Sequence, residues 1–272
     1  MAAMDVIVDD SGLLKAAYTG ELDRFKRVAL NYAKGEGIGV AEAIEELILE
    51  DGSGSLHFAA EGGSLEVCRY LIETLKLDVD SKDEEGTTPL YAAAVKGHFD
   101  TVRYLLEKGA NPDVSNDKNF TPLHYAAKSG DTKIITLLLS RGVRVDVASR
   151  SGTALQFAAA CGHRDAVKLL LDHGADPNCD PSDGMVRPLF TAMYAKSWEC
   201  MELLLQHARL ALSVTYYVAP ILNYIISHLL HSPLIQNSEE VHKKEKFYQA
   251  KSKGRDAFQE QKYRTTAIWF RE

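Results

Sequence analysis

A five-residue phrase returns along this chain at a nearly fixed interval: Leu56-His57-Phe58-Ala59-Ala60, Leu90-Tyr91-Ala92-Ala93-Ala94, Leu123-His124-Tyr125-Ala126-Ala127 and Leu155-Gln156-Phe157-Ala158-Ala159. With weaker copies at Leu13 and Leu189, the leading leucines (Leu13, Leu56, Leu90, Leu123, Leu155 and Leu189) stand 43, 34, 33, 32 and 34 residues apart. Such a period describes a stack of supersecondary units, each of which buries its apolar face only against its neighbours. Fifteen residues past the later markers comes a second anchor, Leu71, Leu105, Leu138, Leu170 or Leu204. Two anchors per unit predict two helices, the first short and Ala-rich and the second Leu-rich, as at Leu137-Leu138-Leu139. Gly63, Gly97, Gly130 and Gly162 stand seven residues past their markers, where a helix closing in a left-handed residue needs glycine.

The start of each first helix is written as clearly. In Gly86-Thr87-Thr88-Pro89-Leu90 and Phe120-Thr121-Pro122-Leu123-His124 a threonine can accept a backbone N–H bond at the helix N-terminus. Proline then fills the first helical position, where its missing N–H costs nothing. Gly109-Ala110-Asn111-Pro112 and Gly174-Ala175-Asp176-Pro177-Asn178 are turn-forming stretches that lead from one unit into a projecting hairpin.

In this order and at this period, these motifs resemble ankyrin repeats over residues 9–207. The resemblance implies an all-α stack of five to six helix-turn-helix units with short β-hairpin loops. The first and last units depart from the pattern, as end units with one face unpartnered should. Repeat one carries about ten extra residues, expected either to lengthen its second helix or to add one around Ala41 to Glu50, where Val40, Ile44, Leu47 and Ile48 follow helical spacing. Repeat five lacks one finger residue and has Ala154 in place of proline. Repeat six has Arg187 in the threonine place and Lys196 in the glycine place.

Composition adds limits. Cys68, Cys161, Cys179 and Cys200 have no paired spacing, which predicts free thiols in a reducing compartment. Met1 to Ser11 lacks the basic-then-apolar run of a secretory leader, so a cytoplasmic location is expected, with the nucleus as the alternative. The net charge of -7 divides into +3 over residues 239–272, with nine Lys/Arg against six Asp/Glu, and -10 over residues 1–238. An acidic stack is a poor partner for phosphate backbones, and the basic bias around His242-Lys243-Lys244 reads as a solvated helix face.

Residues 208–238 form an apolar connector, uncharged from Leu210 to Ser238 and long enough to cross a bilayer. Pro220, Asn223, His228 and the hydroxyls of Ser213, Thr215 and Tyr216 favour a buried connector, with a membrane anchor as the alternative. From residue 239 to 272, Ser238 followed by Glu239 and Glu240 opens a helix, and Phe247, Ala250, Gly254, Ala257 and Phe258 form its stripe. Gly254, Tyr263 and Phe270 resemble, in order and spacing, the opening positions of a tetratricopeptide repeat. That resemblance, like the ankyrin and tetratricopeptide combination of some plant proteins, implies a co-chaperone-like adaptor holding the C-terminus of a heat-shock chaperone. Lys251 matches the family's contact lysine, while Arg255 stands where the family has asparagine. The reading favoured for the segment is a helical cap over the end of the stack, with the co-chaperone-like adaptor as the alternative.

No catalytic constellation is legible. Gly35-Glu36-Gly37-Ile38-Gly39 fits neither a dinucleotide fingerprint nor a phosphate loop. Cys161-Gly162-His163 places a thiol near an imidazole in sequence only, and His57 and His124 read as repeat elements bonding backbone between hairpins. No cofactor and no metal are expected, because no His/Cys group has ligand spacing.

What remains is surface. The ankyrin resemblance implies a protein partner on the concave face, met by the hairpin tips and by the positions after the Ala-Ala pair. These are Glu84, Glu85, Thr87, Val95 and Lys96 in repeat three, and Asp117, Lys118, Phe120, Lys128 and Ser129 in repeat four. In repeat five they are Ser149, Arg150, Ala160 and Cys161. Phe120 has two readings, an aromatic hot spot at an exposed tip or a ring packed on the neighbouring finger. The function implied is a non-enzymatic scaffold or adaptor, whose partner class extends to enzyme complexes such as a phosphatase or ligase.

Overall fold

The computed structural model describes residues 12–179 and 188–207. The chain divides into two compact units, Met1–Ala208 and Arg209–Glu272, and the connector, the tetratricopeptide-like segment and Lys251 lie outside the described residues.

Six helical pairs follow the repeat. Repeat one contributes α1 (Leu13–Thr19) and α2 (Leu22–Glu36), followed by an added helix α3 (Val40–Glu46). Repeat two has α4 (Ser55–Glu61) and α5 (Leu65–Arg69), which runs on into a π-turn at Tyr70–Thr74. Then come α6 (Pro89–Lys96) with α7 (Phe99–Glu107), α8 (Pro122–Ser129) with α9 (Thr132–Ser140), α10 (Ala154–Ala160) with α11 (Arg164–Asp172), and α12 (Pro188–Tyr194) with α13 (Trp198–His207). First helices pack in chain order against first helices, and second helices against second helices. The core is the seam between the two rows, where Leu13, Leu56, Leu90, Leu123, Leu155 and the second anchors Leu71, Leu105, Leu138, Leu170 and Leu204 are all buried. Each such leucine contributes about 1.5–3 kcal/mol relative to exposure. Ala59, Ala60, Ala93, Ala126 and Ala158 are also buried, and their small size lets adjacent first helices approach.

The capping signals act as their chemistry demands. Thr88 accepts from the Tyr91 N–H at 3.3 Å, and Thr153 accepts from the Gln156 N–H at 3.4 Å. Gly97, Gly130 and Gly162 close their helices at φ 78°, 73° and 73°. Lys196 takes the same place with φ 56°, so its side chain sits in a backbone region that suits glycine.

The extra residues of repeat one do two things at once. They extend α2 to 15 residues and add α3, with Gly37 closing one helix at φ 71° and Gly39 opening the other. The 34-residue spacing of repeat two is absorbed in the π-turn. Elsewhere the residue after the closing glycine bonds five back, Ala110 N to Leu105 O at 3.0 Å and Ala175 N to Leu170 O at 3.0 Å. In repeat two Leu77 N reaches six back to Leu71 O at 3.1 Å, and Leu75 N bonds Tyr70 O at 3.2 Å. One added residue widens one turn. Lys76 then falls in the place of Gly109 and adopts φ 64°.

The hairpins expected between units are narrower than strands. Asp83 N donates to Thr87 O, Asn116 N to Phe120 O and Ser149 N to Gly152 O, at 3.0–3.1 Å. Among the described residues the one isolated bridge is Ser149 to Gly152. Inside each finger a second backbone bond closes the turn, Gly86 N to Asp83 O, Asn119 N to Asn116 O and Gly152 N to Ser149 O, at 2.8–3.3 Å, and the tips also pair with each other. Glu84 N donates to Asp51 O at 2.8 Å, Asp117 N to Glu85 O at 2.9 Å and Arg150 N to Lys118 O at 3.3 Å. The finger tips therefore form one continuous edge.

Candidate functional site

The residues that fail to repeat gather on one face, here called the inner face. One border is the finger edge and the other is a ledge made by the C-terminal ends of the first helices. On the finger edge Glu84, Glu85, Asp117, Lys118 and Arg150 are exposed and Thr87 is half-buried. On the ledge Lys96, Lys128, Ser129, Ala160 and Cys161 are exposed and Val95 is half-buried. Ser149 corrects the sequence reading. It is buried, and its hydroxyl donates to Gly152 O at 2.7 Å beside the backbone bond from Ser149 N that closes the shorter finger of repeat five.

Ion pairs link neighbouring repeats along both borders. Lys96 Nζ lies 3.0 Å from Glu61 on the ledge, and Lys118 Nζ lies 3.2 Å from Glu85 on the finger edge. Both pairs are largely exposed, so solvent leaves them little stabilising weight and they fix side-chain position instead. The hydrogen bond and charge of Glu61 raise the Lys96 ammonium above its usual range.

Between the borders lies a floor of aromatic rings. Phe120 is half-buried and packs on three others: Tyr125 at 5.6 Å between centroids, Phe157 of the next repeat at 5.7 Å and His124 at 5.7 Å. Tyr91 meets Tyr125 edge-on at 5.1 Å, and Lys128 Nζ stands 5.7 Å from the centre of the Tyr125 ring. Burial and a hydrogen bond to Tyr125 hold the Tyr91 phenol well above its usual range. Phe120 thus packs across a repeat junction while keeping part of its ring in solvent.

The sequence reading singled out Phe120, Lys96 and Lys128 but missed Tyr91, Tyr125, Phe157 and Asp51 as part of this face. One signal was available. Tyr91 stands where repeats two and four carry His57 and His124, and that departure redirects the side chain from the next finger to Tyr125.

The histidines themselves are structural. His57 Nε2 donates to Thr87 O at 3.0 Å while its Nδ1 accepts from Gly54 N–H at 3.3 Å. His124 repeats this with Val147 O at 3.0 Å and Thr121 N–H at 3.0 Å. Burial is the chief cause that holds both imidazoles below their ordinary pKa. His163 spends Nε2 on Lys128 O at 3.0 Å in the neighbouring repeat. Burial pushes the Cys68 thiol up to about 12 and raises that of Cys200, so both act as small apolar groups. Among the described residues no group of three or more His, Cys, Asp or Glu is placed to hold a metal ion, and no helix is long and apolar enough to cross a membrane.

A family model described as Ankyrin repeats (3 copies) matches residues 13–116 and 110–181, more than half of the chain. The chain belongs to the ankyrin-repeat family. It is 32% identical over 154 residues to human transient receptor potential cation channel subfamily A member 1, covering 56% of this chain and 14% of that protein. To the E3 ubiquitin-protein ligase KEG of Arabidopsis thaliana it is 25% identical over 200 residues, covering 72% of this chain and 10% of the ligase. To protein phosphatase 1 regulatory subunit 27 of Mus musculus it is 38% identical over 72 residues, covering 26% of this chain and 46% of that subunit. The chain spans less than half the length of each of these relatives. Among solved structures, the human ASB11 ankyrin repeat domain is similar with a TM-score of 0.61 and 28% identity, covering 73% of this chain and 84% of that one. Ankyrin repeats generally mediate protein–protein interaction.

Proposed function

We propose that this ankyrin stack is a non-catalytic scaffold that holds a protein partner on its inner face. The observation that carries the reading is the Phe120 cluster, where a half-exposed aromatic patch joins repeats four and five between two charged borders. Exposed aromatic surface ringed by polar groups is the usual composition of a binding hot spot. The residues that recur in every copy leave specificity to Glu84, Glu85, Lys96, Asp117, Lys118, Lys128 and Arg150, which differ from copy to copy.

The test is affinity capture with mass spectrometry from native cells, comparing the natural chain with a Phe120→Ala, Lys96→Ala, Lys128→Ala triple variant. Loss of a partner with the triple variant supports the inner face; a partner retained at full yield removes it. Resemblance to stretches of a protein named as a ubiquitin ligase and another named as a phosphatase regulatory subunit makes enzyme complexes the first partner class to inspect.

A further inference from the structure

The inner face carries opposite charge at its two ends. In repeat two the finger holds Glu50 and Asp51, and in repeat three Asp83, Glu84 and Glu85 outweigh Lys82. In repeat four Asp117 and Lys118 balance, and in repeat five Arg150 stands as the charged residue of the finger. The Lys118–Glu85 ion pair, at 3.2 Å, marks the changeover. The ledge runs the same way. It passes from Glu61, already paired with Lys96, to Lys128, whose ammonium faces the Tyr125 ring. Asp51 and Glu84 are therefore left facing solvent at one end, and Lys128 and Arg150 at the other, with the Phe120, Tyr125 and Tyr91 rings between them.

Resting on the inner face as the binding surface, we infer that it takes an extended peptide segment of segregated charge. Basic residues lie along the fingers of repeats two and three, an aromatic or large apolar side chain sits on the Phe120 cluster, and acidic residues lie beside Arg150 and Lys128. Packed helices stand about 8–10 Å apart, and an extended chain advances about 3.3 Å per residue, so each repeat matches about three residues. The basic and acidic ends of the segment are thus separated by about six to nine residues. Complementary charge selects the segment and its direction, while the ring contact supplies the hold. A segment of inverted charge order turns end for end to keep each charge opposite its complement, whereas a segment of uniform charge meets like charge at one end and is disfavoured.

The experiment pans M13-displayed random twelve-residue peptides on the full chain and on an Asp51→Lys, Glu84→Lys, Glu85→Lys variant. Enriched peptides are then synthesised with a fluorescein label and titrated by fluorescence anisotropy. The expected result is enrichment of peptides with Lys/Arg at one end, an aromatic near the centre and Asp/Glu at the other. Their affinity should fall about tenfold or more on the charge-reversed variant, which should select the uniformly acidic class instead. An Asp51→Asn, Glu84→Gln, Glu85→Gln variant with an unchanged melting curve repeats the titration without reversal, and a loss of about threefold or more is expected. Peptides lacking segregated charge, equal affinity on the variants, or no enrichment overturns the inference. If unsegregated peptides are still lost on the Phe120→Ala, Lys96→Ala, Lys128→Ala variant, the charge code falls and the inner face stands. If they bind that variant unchanged, both fall.

Discussion

Lys76 and Lys196 hold left-handed backbone, at φ 64° and 56°, in places where other repeats use Gly109 and Gly97. An L side chain there costs about 1–2 kcal/mol, part of which glycine returns as chain entropy on unfolding. Lys196→Gly is therefore expected to raise stability by about 1 kcal/mol, read as a higher urea midpoint; an unchanged or lower midpoint would show that the strain is relieved elsewhere. Ser55 poses a different problem. It stands where repeats three and four have Pro89 and Pro122, and its hydroxyl is buried without a hydrogen-bond partner. Ser55→Ala removes an unsatisfied group and should stabilise by about 1 kcal/mol in the same measurement. His57 and His124 set the pH response. Their folded pKa values lie below the ordinary 6.5 because burial disfavours the charged ring, and a protonated Nδ1 cannot accept from Gly54 or Thr121. The unfolded imidazole binds protons first, so this contribution is complete above pH 6.5 and is lost as pH falls through the folded pKa. Repeat five already carries an uncharged solution, Gln156, whose Oε1 accepts from Thr153 N–H. A His57→Gln, His124→Gln variant should flatten the fall in urea midpoint between pH 7 and pH 5, whereas an equal slope in both proteins would place the titration elsewhere.

At the scale of elements, the junctions between repeats differ in the residue eight past the marker. In repeats three and five it is a histidine that reaches back to a carbonyl at the end of the preceding first helix, His98 to Glu61 O at 2.9 Å and His163 to Lys128 O at 3.0 Å, whereas in repeat four it is Asp131, which accepts from Lys133 N–H and Ile134 N–H and caps its own helix. In repeat two the residue is Ser64, whose hydroxyl reaches Tyr18 O at 2.8 Å. Serine is shorter than histidine, so the backbones must come closer, and a Cβ on Gly62 would collide with the Tyr18 carbonyl. Gly62→Ala is expected to cost about 1–3 kcal/mol through overpacking, and hydrogen exchange should show faster opening of α1 and α2 before any other pair. Protection unchanged in repeat one would refute the tight junction. Helix pairs, caps and closing glycines were legible in the sequence because each rests on local chemistry that repeats. The π-turn was not. The 34-residue interval announced one extra residue, but where it is absorbed depends on keeping both Leu71 and Leu77 in place, which only packing decides. The same holds for the inner face: Phe120 was visible as an odd residue at a tip, whereas its contact with Phe157 needs the register between two repeats.

At the scale of the whole stack, the main helix packing of each described repeat is against its neighbours, so stability is a chain of local terms and not a single globular core. Position then matters as much as chemistry. Leu13 and Leu123 are the same anchor in their repeats, both almost wholly buried. Leu123 has a packed repeat on each side, whereas Leu13 belongs to the first described repeat. Replacing either with alanine removes about 2–5 kcal/mol of local packing. Leu13→Ala should release repeat one alone, leaving the main urea midpoint in place with a small early transition. Leu123→Ala should weaken the junction through which the two halves communicate, giving a broader transition of lower apparent m-value as flanking repeats open separately. Repeat-resolved hydrogen exchange distinguishes the two: protection lost only in α1 and α2 for the first variant, and in α6 through α11 for the second. Equal midpoint shifts with uniform loss of protection would mean that the stack opens as one block. The location of the Phe120 cluster at the repeat four to repeat five junction gives that outcome a functional edge, because a partner seated there bridges the junction that Leu123→Ala weakens. A bound partner should therefore restore the sharp transition in Leu123→Ala and leave the early transition of Leu13→Ala where it was.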